Sequence, residues 1–185
     1  TWLNSLGGEW TNDFVVGTTN AVRSELYQPL TLSQTIYAAP YVGIGTTTEN
    51  IFSQGAKVAE YRVLDERAGF DVGIAFGSWG DLRVGPVYVH QRGDPSIAPP
   101  TFPVTKLDEW GLALLARVDT QDNAFFPRHG LRATFEGFSG TQRQQDVDQK
   151  FRRAELDVHQ SIPFGDEDAI NLGLRLAGSN RFDPI

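Results

Sequence analysis

One segment alternates so regularly that it constrains the fold more than any other feature of the sequence. Between residues 67 and 77, the even positions Ala68, Phe70, Val72, Ile74 and Phe76 are apolar, and the odd positions are charged or small. Successive side chains of a β-strand point to opposite faces, so this pattern predicts a strand with one apolar face and one polar face.

The same alternation recurs along the chain and predicts an all-β protein. We expect nine antiparallel strands in a meander, at residues 2–10, 14–27, 36–48, 58–77, 81–90, 108–118, 131–139, 150–160 and 169–178. No convincing helical spacing is found, and the chain is expected to be one domain, residues 1–185.

The predicted connections are of two kinds that alternate along the chain. Those near residues 28–30, 77–80 and 162–165 are compact, whereas 91–107 and 140–149 are longer and polar. Transmembrane barrels have short periplasmic turns and longer extracellular loops. Because alternate connections of a meander lie at the same end, the connection at residues 119–130 is expected at the compact, periplasmic end.

Composition excludes several classes of function. The formal net charge of −7 argues against a nucleic-acid partner, because phosphate binding requires clustered Lys and Arg. The absence of Cys excludes a disulfide framework and a Cys nucleophile. No apolar stretch approaches the roughly 18 residues of a membrane helix. A barrel strand exposes only alternate side chains to lipid, so the mean hydropathy of −0.29 is compatible with a membrane barrel.

Glycine is frequent on the polar face of the predicted strands. Mid-strand positions include Gly69, Gly73, Gly77, Gly85, Gly111 and Gly173. Such glycines mark bends, bulges or the close approach of another segment, and a curved barrel wall around a polar lumen would use all three. We therefore favour a transmembrane β-barrel. The alternative is a soluble β-sandwich or lipocalin-like barrel that binds an apolar ligand.

The barrel interpretation assigns a role to each face. The lipid-facing residues are expected to include Phe70, Val72, Ile74, Phe76, Leu172 and Leu174. The interfacial aromatic girdle is expected to include Trp79, Tyr88 and Trp110, with Tyr27 and Tyr37. The expected partners are outer-membrane lipid and, because nine strands leave two unpaired edges, a second copy of the chain.

Residues 119–130 contain a turn motif. Its principal members are Asp119, Asp122, Asn123, Phe126, Pro127 and Gly130. Asp and Asn side chains bond neighbouring backbone amides, Pro fixes φ and Gly permits a positive φ, so the motif is expected to be structural. It resembles the D-x-x-D/N-x-x-x-F-P-x-x-G turn of the bacterial surface-antigen superfamily, whose barrels include outer-membrane assembly and two-partner-secretion transporters.

Further motifs resemble one branch of that superfamily, the barrel that follows the hydrolase domain in bacterial patatin-like autotransporters. They are Tyr27-Gln-Pro-Leu30, Ala39-Pro40, Ala59-Glu-Tyr-Arg-Val63, Gly69-Phe-Asp-Val-Gly73 and Gly77-Ser-Trp-Gly-Asp-Leu-Arg-Val-Gly85. The resemblance implies a barrel of about sixteen strands, of which these nine would be the first part. The family's Arg-Gly-Phe lumen-loop motif is missing, which also favours a partial barrel. The implied function is to anchor, and to translocate, a patatin-like lipase located before Thr1 in the bacterial outer membrane.

No segment is expected to carry catalytic chemistry, a cofactor or a metal. Ser139 lies in Gly-Phe-Ser-Gly-Thr, which lacks the last Gly of a nucleophile elbow, and no helix signal follows it. The three His residues have no metal-binding spacing, and Asp119 with Asp122 is more typical of turn capping than of Ca²⁺ binding. An outer-membrane hydrolase barrel that pairs Ser139 or another Ser with His159 is the third hypothesis.

Overall fold

The computed structural model describes residues 3–99, 102–165 and 168–180, which form one antiparallel sheet. Its strands are β1 (Glu9–Val15), β2 (Thr19–Pro29), β3 (Ile36–Ser53), β4 (Ala56–Ala75), β5 (Gly80–Ile97), β6 (Thr105–Asp119), β7 (Gly130–Gln144), β8 (Val147–Phe164) and β9 (Asp168–Ser179). Each strand pairs with the next along the chain, so the prediction of an all-β, nine-strand antiparallel meander is confirmed. Within the described residues, no helix is long and apolar enough to cross a membrane.

The connections between strands lie alternately at two ends of the sheet. The hairpin end carries the connections at residues 16–18, 54–55, 98–104 and 145–146. The loop end carries those at residues 30–35, 76–79, 120–129 and 165–167. The predicted parity, which placed the connection before Gly130 at the same end as the one before Gly80, is confirmed by this strand order.

The predicted difference in loop length between the two ends is wrong. Most of the polar segments 91–107 and 140–149 is paired strand, and only Gln145 and Asp146 connect β7 to β8. Both turn residues have positive φ values, 49° and 65°, as in tight hairpin turns whose twist matches that of the strands. The polar residues that predicted loops are therefore extensions of long hairpins.

The first predicted strand is also wrong. Within the predicted range 2–10, the described residues before Glu9 form bends and a turn. The side-chain oxygen of Asn4 accepts hydrogen bonds from the backbone N–H groups of Leu6 and Gly8, at 3.0 and 3.1 Å. Local side-chain bonds of this kind compete with strand pairing, so the segment turns before the sheet begins.

The second predicted strand, at residues 14–27, begins too early. β1 continues through Phe14 and Val15, and β2 starts only at Thr19. The turn between them contains Gly17, whose φ is 155°. The apolar residues before this glycine gave no sign of a turn. The predicted boundary between the first two strands therefore falls before Phe14, whereas the turn lies after Val15.

Alternation gives the sheet two faces, which we define by β4. The outer face carries the even-numbered residues of β4 and their register partners, such as Val72 opposite Val84. The inner face carries the odd-numbered residues, among them the buried Asp71. The inner face is concave, since one cavity of about 490 Å³ is lined by side chains from β2 through β9.

Two inner-face glycines of β4 make room for tyrosine rings of β3. Gly69 lies opposite Tyr41 and Gly73 lies opposite Tyr37 in the register. A Cβ atom at either glycine would overlap the ring of its partner, so no other residue fits without a shift of the ring. Of the three roles expected for these glycines, close approach is therefore the one found at Gly69 and Gly73.

The sheet is not closed in the described residues. β1 and β9 each pair along one edge only, and they do not pair with each other. An unpaired edge presents a row of free N–H and C=O groups that can pair with another strand. The two edges predicted from nine strands are thus present.

We predict that Gly69→Val lowers the free energy of unfolding by about 1–3 kcal/mol, because the new side chain must displace the Tyr41 ring. Urea unfolding followed by circular dichroism measures the loss. Gly178→Val is the matched control, since a Cβ at Gly178 meets no atom within 4 Å. Equal stability of the two variants would contradict the packing role, and adding Tyr41→Ala to Gly69→Val should restore part of the loss.

Candidate functional site

The outer face carries many large apolar side chains that are exposed. Five of the six residues predicted to face lipid lie on it: Phe70, Val72, Ile74, Leu172 and Leu174. The sixth, Phe76, lies in the connection directly after β4. The exposed fractions of the six side chains range from 38% at Phe76 to 56% at Leu172. A large exposed apolar surface of this kind marks contact with lipid or with another protein.

This apolar surface has a limited height, which can be measured along β4. Its outer-face residues are apolar from Ile74 back to Ala68, and Phe76 follows directly after the strand. The next outer-face residue toward the hairpin end is Glu66. Residues 68–76 match the roughly 9–11 residues that a tilted barrel strand needs to cross a membrane. We call this belt of the outer face the apolar band.

Two of the predicted interface aromatics mark the boundary of the apolar band at the hairpin end. Tyr88 of β5 lies directly opposite Trp110 of β6. The Tyr88 hydroxyl donates a hydrogen bond of 2.7 Å to Asp108, and the guanidinium of Arg143 lies 5.2 Å from the centre of the Trp110 ring. Each ring therefore has apolar neighbours on one side and charged neighbours on the other, as interfacial aromatic residues do.

The boundary at the loop end contains the third predicted aromatic, Trp79. Its ring stacks on Phe76, with ring centres 5.2 Å apart. At the same end, the side chains of Phe125 and Phe126 are 86% and 83% exposed. Large aromatic side chains thus lie at both ends of the apolar band.

The interface role expected for Tyr27 and Tyr37 is wrong, because both side chains lie on the inner face. Tyr37 is only 2% exposed, and its hydroxyl donates a 2.7 Å hydrogen bond to Asp81. Tyr27 packs against it, with ring centres 4.6 Å apart. Their position near strand ends agreed with the prediction, but strand parity turns both rings inward.

The inner face is held together by buried charges. Arg83 of β5, only 8% exposed, lies 3.2 Å from Glu25 of β2 and 3.6 Å from Asp71 of β4. Near the hairpin end, the buried Glu109 accepts a 2.8 Å bond from Arg153, two strands away. A buried charge is tolerated when it is paired. The contacts of Arg83 with Glu25 and of Glu109 with Arg153 connect strands that are not neighbours, whereas Arg83 and Asp71 lie on adjacent strands.

These inner charges were not singled out in the sequence. One signal was available: Asp71 and Arg83 occupy polar positions of two consecutive predicted strands and have opposite charge. Their partner Glu25 lies much earlier in the chain, and its contact with Arg83 depends on the curvature of the sheet. The pair across neighbouring strands could have been predicted, whereas the longer-range contact could not.

The turn motif at residues 119–130 contains several local hydrogen bonds from side chains to the backbone. One Asp122 oxygen accepts hydrogen bonds from the backbone N–H groups of Arg128 and His129, at 2.9 and 3.2 Å. The Asn123 side chain accepts from Phe125 and Phe126 in the same way. These bonds are the Asx-type contacts that fix a turn.

The remaining members of the motif frame this turn. Asp119 accepts from the Gln121 N–H and pairs with Arg132 at 2.9 Å, so its carboxylate, like that of Asp122, already has partners. Pro127 lies in the chain between Phe126, whose N–H donates to Asn123, and Arg128, whose N–H donates to Asp122. Gly130 has a φ of 107°, and a Cβ there would overlap the backbone oxygen of Thr120. The motif therefore closes the connection between β6 and β7.

The residues weighed for catalysis or metal binding are not brought together. Ser139 lies on the outer face of β7, opposite Leu112 and Arg152. His159 lies on the inner face of β8, opposite Arg132 and 2.9 Å from Asp157. In the described parts of the chain, no group of three or more His, Asp or Glu side chains is arranged to hold a metal.

We predict that the turn is weakened by acid. The backbone N–H of Arg128, then that of His129, stabilises the ionised Asp122 carboxylate and lowers its pKa below the usual value. Because the folded pKa is lowered, this stabilisation is present above the pKa of about 4 of an unfolded Asp and is lost as pH falls through the folded value. Amide hydrogen exchange at residues 123–129 measures it.

The variant Asp122→Ala should exchange faster than the parent chain in this segment at neutral pH, and the difference should vanish in acid. Asp13→Ala, in the exposed strand β1, is the control and should leave the segment unchanged. A difference that persists unchanged at low pH would refute the role of the ionised carboxylate.

Comparison with known proteins adds no closer assignment. No protein-family model matches the chain, and no curated protein matches it. The resemblance to the surface-antigen superfamily rests on short motifs, and an antiparallel meander is shared by many unrelated proteins. The fold shows only the structural class: the described residues form an all-β, nine-strand antiparallel meander.

Proposed function

We propose that the chain forms part of the wall of an outer-membrane β-barrel, with the outer face in contact with lipid and the inner face lining a polar lumen. One observation carries this proposal: polarity is inverted relative to a water-soluble protein. Phe70 and Val72 on the outer face are 46% and 45% exposed, whereas Asp71 between them is 7% exposed.

The physical argument concerns the cost of this arrangement in water. Each large apolar side chain left in water forgoes about 1.5–3 kcal/mol of burial free energy. Lipid around the outer face removes that cost, and the paired backbone of the sheet satisfies the hydrogen bonds that a membrane interior cannot. The aromatic residues at both ends of the apolar band fit the two interfaces of such a membrane.

A soluble β-module with an apolar ligand is less well supported. Such a module would direct its apolar residues into an internal cavity, as lipocalin-like barrels do. The cavity on the inner face has a mixed lining: an apolar cluster that includes Val87, Val89 and Phe138 shares it with charged side chains, among them Arg23, Arg67 and Arg83. A hydrolase barrel would need a Ser and a His in contact, and Ser139 and His159 lie on opposite faces.

The function of the barrel wall, in this proposal, is to anchor a patatin-like lipase in the outer membrane and to serve in its translocation. This part rests on the motif resemblance alone. The 119–130 turn and the Gly69–Gly73 segment are its two main supports. A lipase assay of a longer chain, with and without the barrel strands, tests whether the barrel is needed to deliver the enzyme to the cell surface.

We predict that the purified chain keeps its β-structure in detergent micelles or lipid vesicles and aggregates in plain buffer. Circular dichroism and light scattering in both conditions test this. A folded monomer in plain buffer would overturn the proposal, because the outer face would then have to be covered by the protein itself.

We further predict that Val72→Arg lowers the stability of the chain folded into phosphatidylcholine vesicles by about 2–4 kcal/mol, the cost of an Arg near the middle of the bilayer. Thr46→Arg is the matched control, since Thr46 lies on the same face beyond the apolar band, opposite Leu64. It should cost no more than about 1 kcal/mol. Urea titrations of the vesicle-bound protein give both values, and equal losses would contradict a lipid-facing Val72.

A further inference from the structure

Cations on the outer face occur at one end only. Among the described strand positions, the outer-face Lys and Arg residues are Arg62, Arg92, Lys106, Arg143, Lys150 and Arg152. All of them lie beyond the apolar band on the side of the hairpin end. The same end of the outer face also carries acids, among them Glu66, Asp94 and Asp108, so the partners of each cation decide which cations remain available.

Three of these cations form a compact group, which we call the basic patch: Arg143, Lys150 and Arg152. Lys150 and Arg152 are two residues apart on β8 and therefore point to the same side. The next outer-face residues of β8 are Ala154 and Leu156, where the apolar band begins. The patch is thus directly adjacent to the apolar band.

The position of the patch relative to the aromatic boundary is given by the register. Lys150 lies opposite Thr141, which lies opposite Trp110. Arg143 lies over the Trp110 ring. The basic patch therefore occupies the level at which an interfacial aromatic residue meets lipid headgroups.

Two of the acids near the basic patch already have partners, and a third, Asp146, lies in the hairpin turn close enough to act on Arg143. Asp148 is paired with Arg143, and Asp108 accepts bonds from Tyr88 and His90, both at 2.7 Å. Lys150 and Arg152 have no ion-pair partner within the described parts of the chain. Two exposed cations thus remain available on the membrane side of the hairpin end.

We propose that the basic patch binds the phosphate of a net-anionic lipid headgroup, so that the hairpin end faces an anionic leaflet. This inference rests on the proposed membrane function. Arginine binds phosphate with two parallel hydrogen bonds, and lysine adds a compact positive charge. A basic side chain next to an anionic membrane surface contributes about 1 kcal/mol, a factor of about five in binding.

The test measures which lipid the folded protein retains. The full chain is folded into vesicles of phosphatidylcholine with an equal amount of phosphatidylglycerol, extracted, and its bound lipids are quantified by mass spectrometry. We expect enrichment of phosphatidylglycerol that weakens with added salt, because the contact is electrostatic. The double variant Lys150→Gln/Arg152→Gln should lower this enrichment by about fivefold or more.

The control is Arg67→Gln/Arg175→Gln, which removes the same charge from the inner face and should leave the enrichment unchanged. If the parent chain inserts but shows no enrichment, or the Lys150/Arg152 variant keeps it, the headgroup site is wrong and the proposed function stands. If the chain inserts into neither lipid, both fail. If inorganic phosphate removes the enrichment as efficiently as added phosphatidylglycerol, the patch is an ion site and the lipid assignment is wrong.

Discussion

The register between β3 and β4 is the constraint on which the two faces depend. These are among the longest strands, with 18 and 20 residues, and their pairing places Tyr37 and Tyr41 over Gly73 and Gly69. A slip of one residue would exchange the two faces of a strand and bring the rings against side chains instead of glycine. The tyrosine–glycine pairs therefore fix which residues lie on the inner face and which lie on the outer face.

Buried charges on the inner face stabilise the curvature that this register permits. Arg83 contacts an acid on a strand three positions away, which requires the inner face to be concave. Buried ion pairs often add little net stability, because removing charges from water is costly. Their contribution here is to favour one arrangement of the sheet, because only this register and this curvature bring Glu25, Asp71 and Arg83 together.

The sequence predicted the strands and faces where alternation was strict and failed where local turn chemistry decided. β4 and the outer-face residues were found because period-two alternation depends only on strand geometry. The connections at Gln54 and Gln145 were predicted as longer segments and not as two-residue turns, because neither turn begins with the Asn or Asp that usually marks one. Tyr37 was placed on the wrong face because its nearness to a strand end was weighed above parity. Contacts such as Arg83 with Glu25 depend on curvature, which no local pattern encodes.

Strand direction determines what can complete the sheet. In a meander, every second strand runs the same way, so β1 and β9 are parallel to each other. Pairing them directly would place one parallel ladder in a sheet whose eight other ladders are antiparallel. Completion by antiparallel pairing alone requires an odd number of further strands between the two edges, or a two-fold axis that sets an edge against its own copy. A strand that continues the antiparallel pattern at either edge must therefore run in the direction opposite to that edge strand.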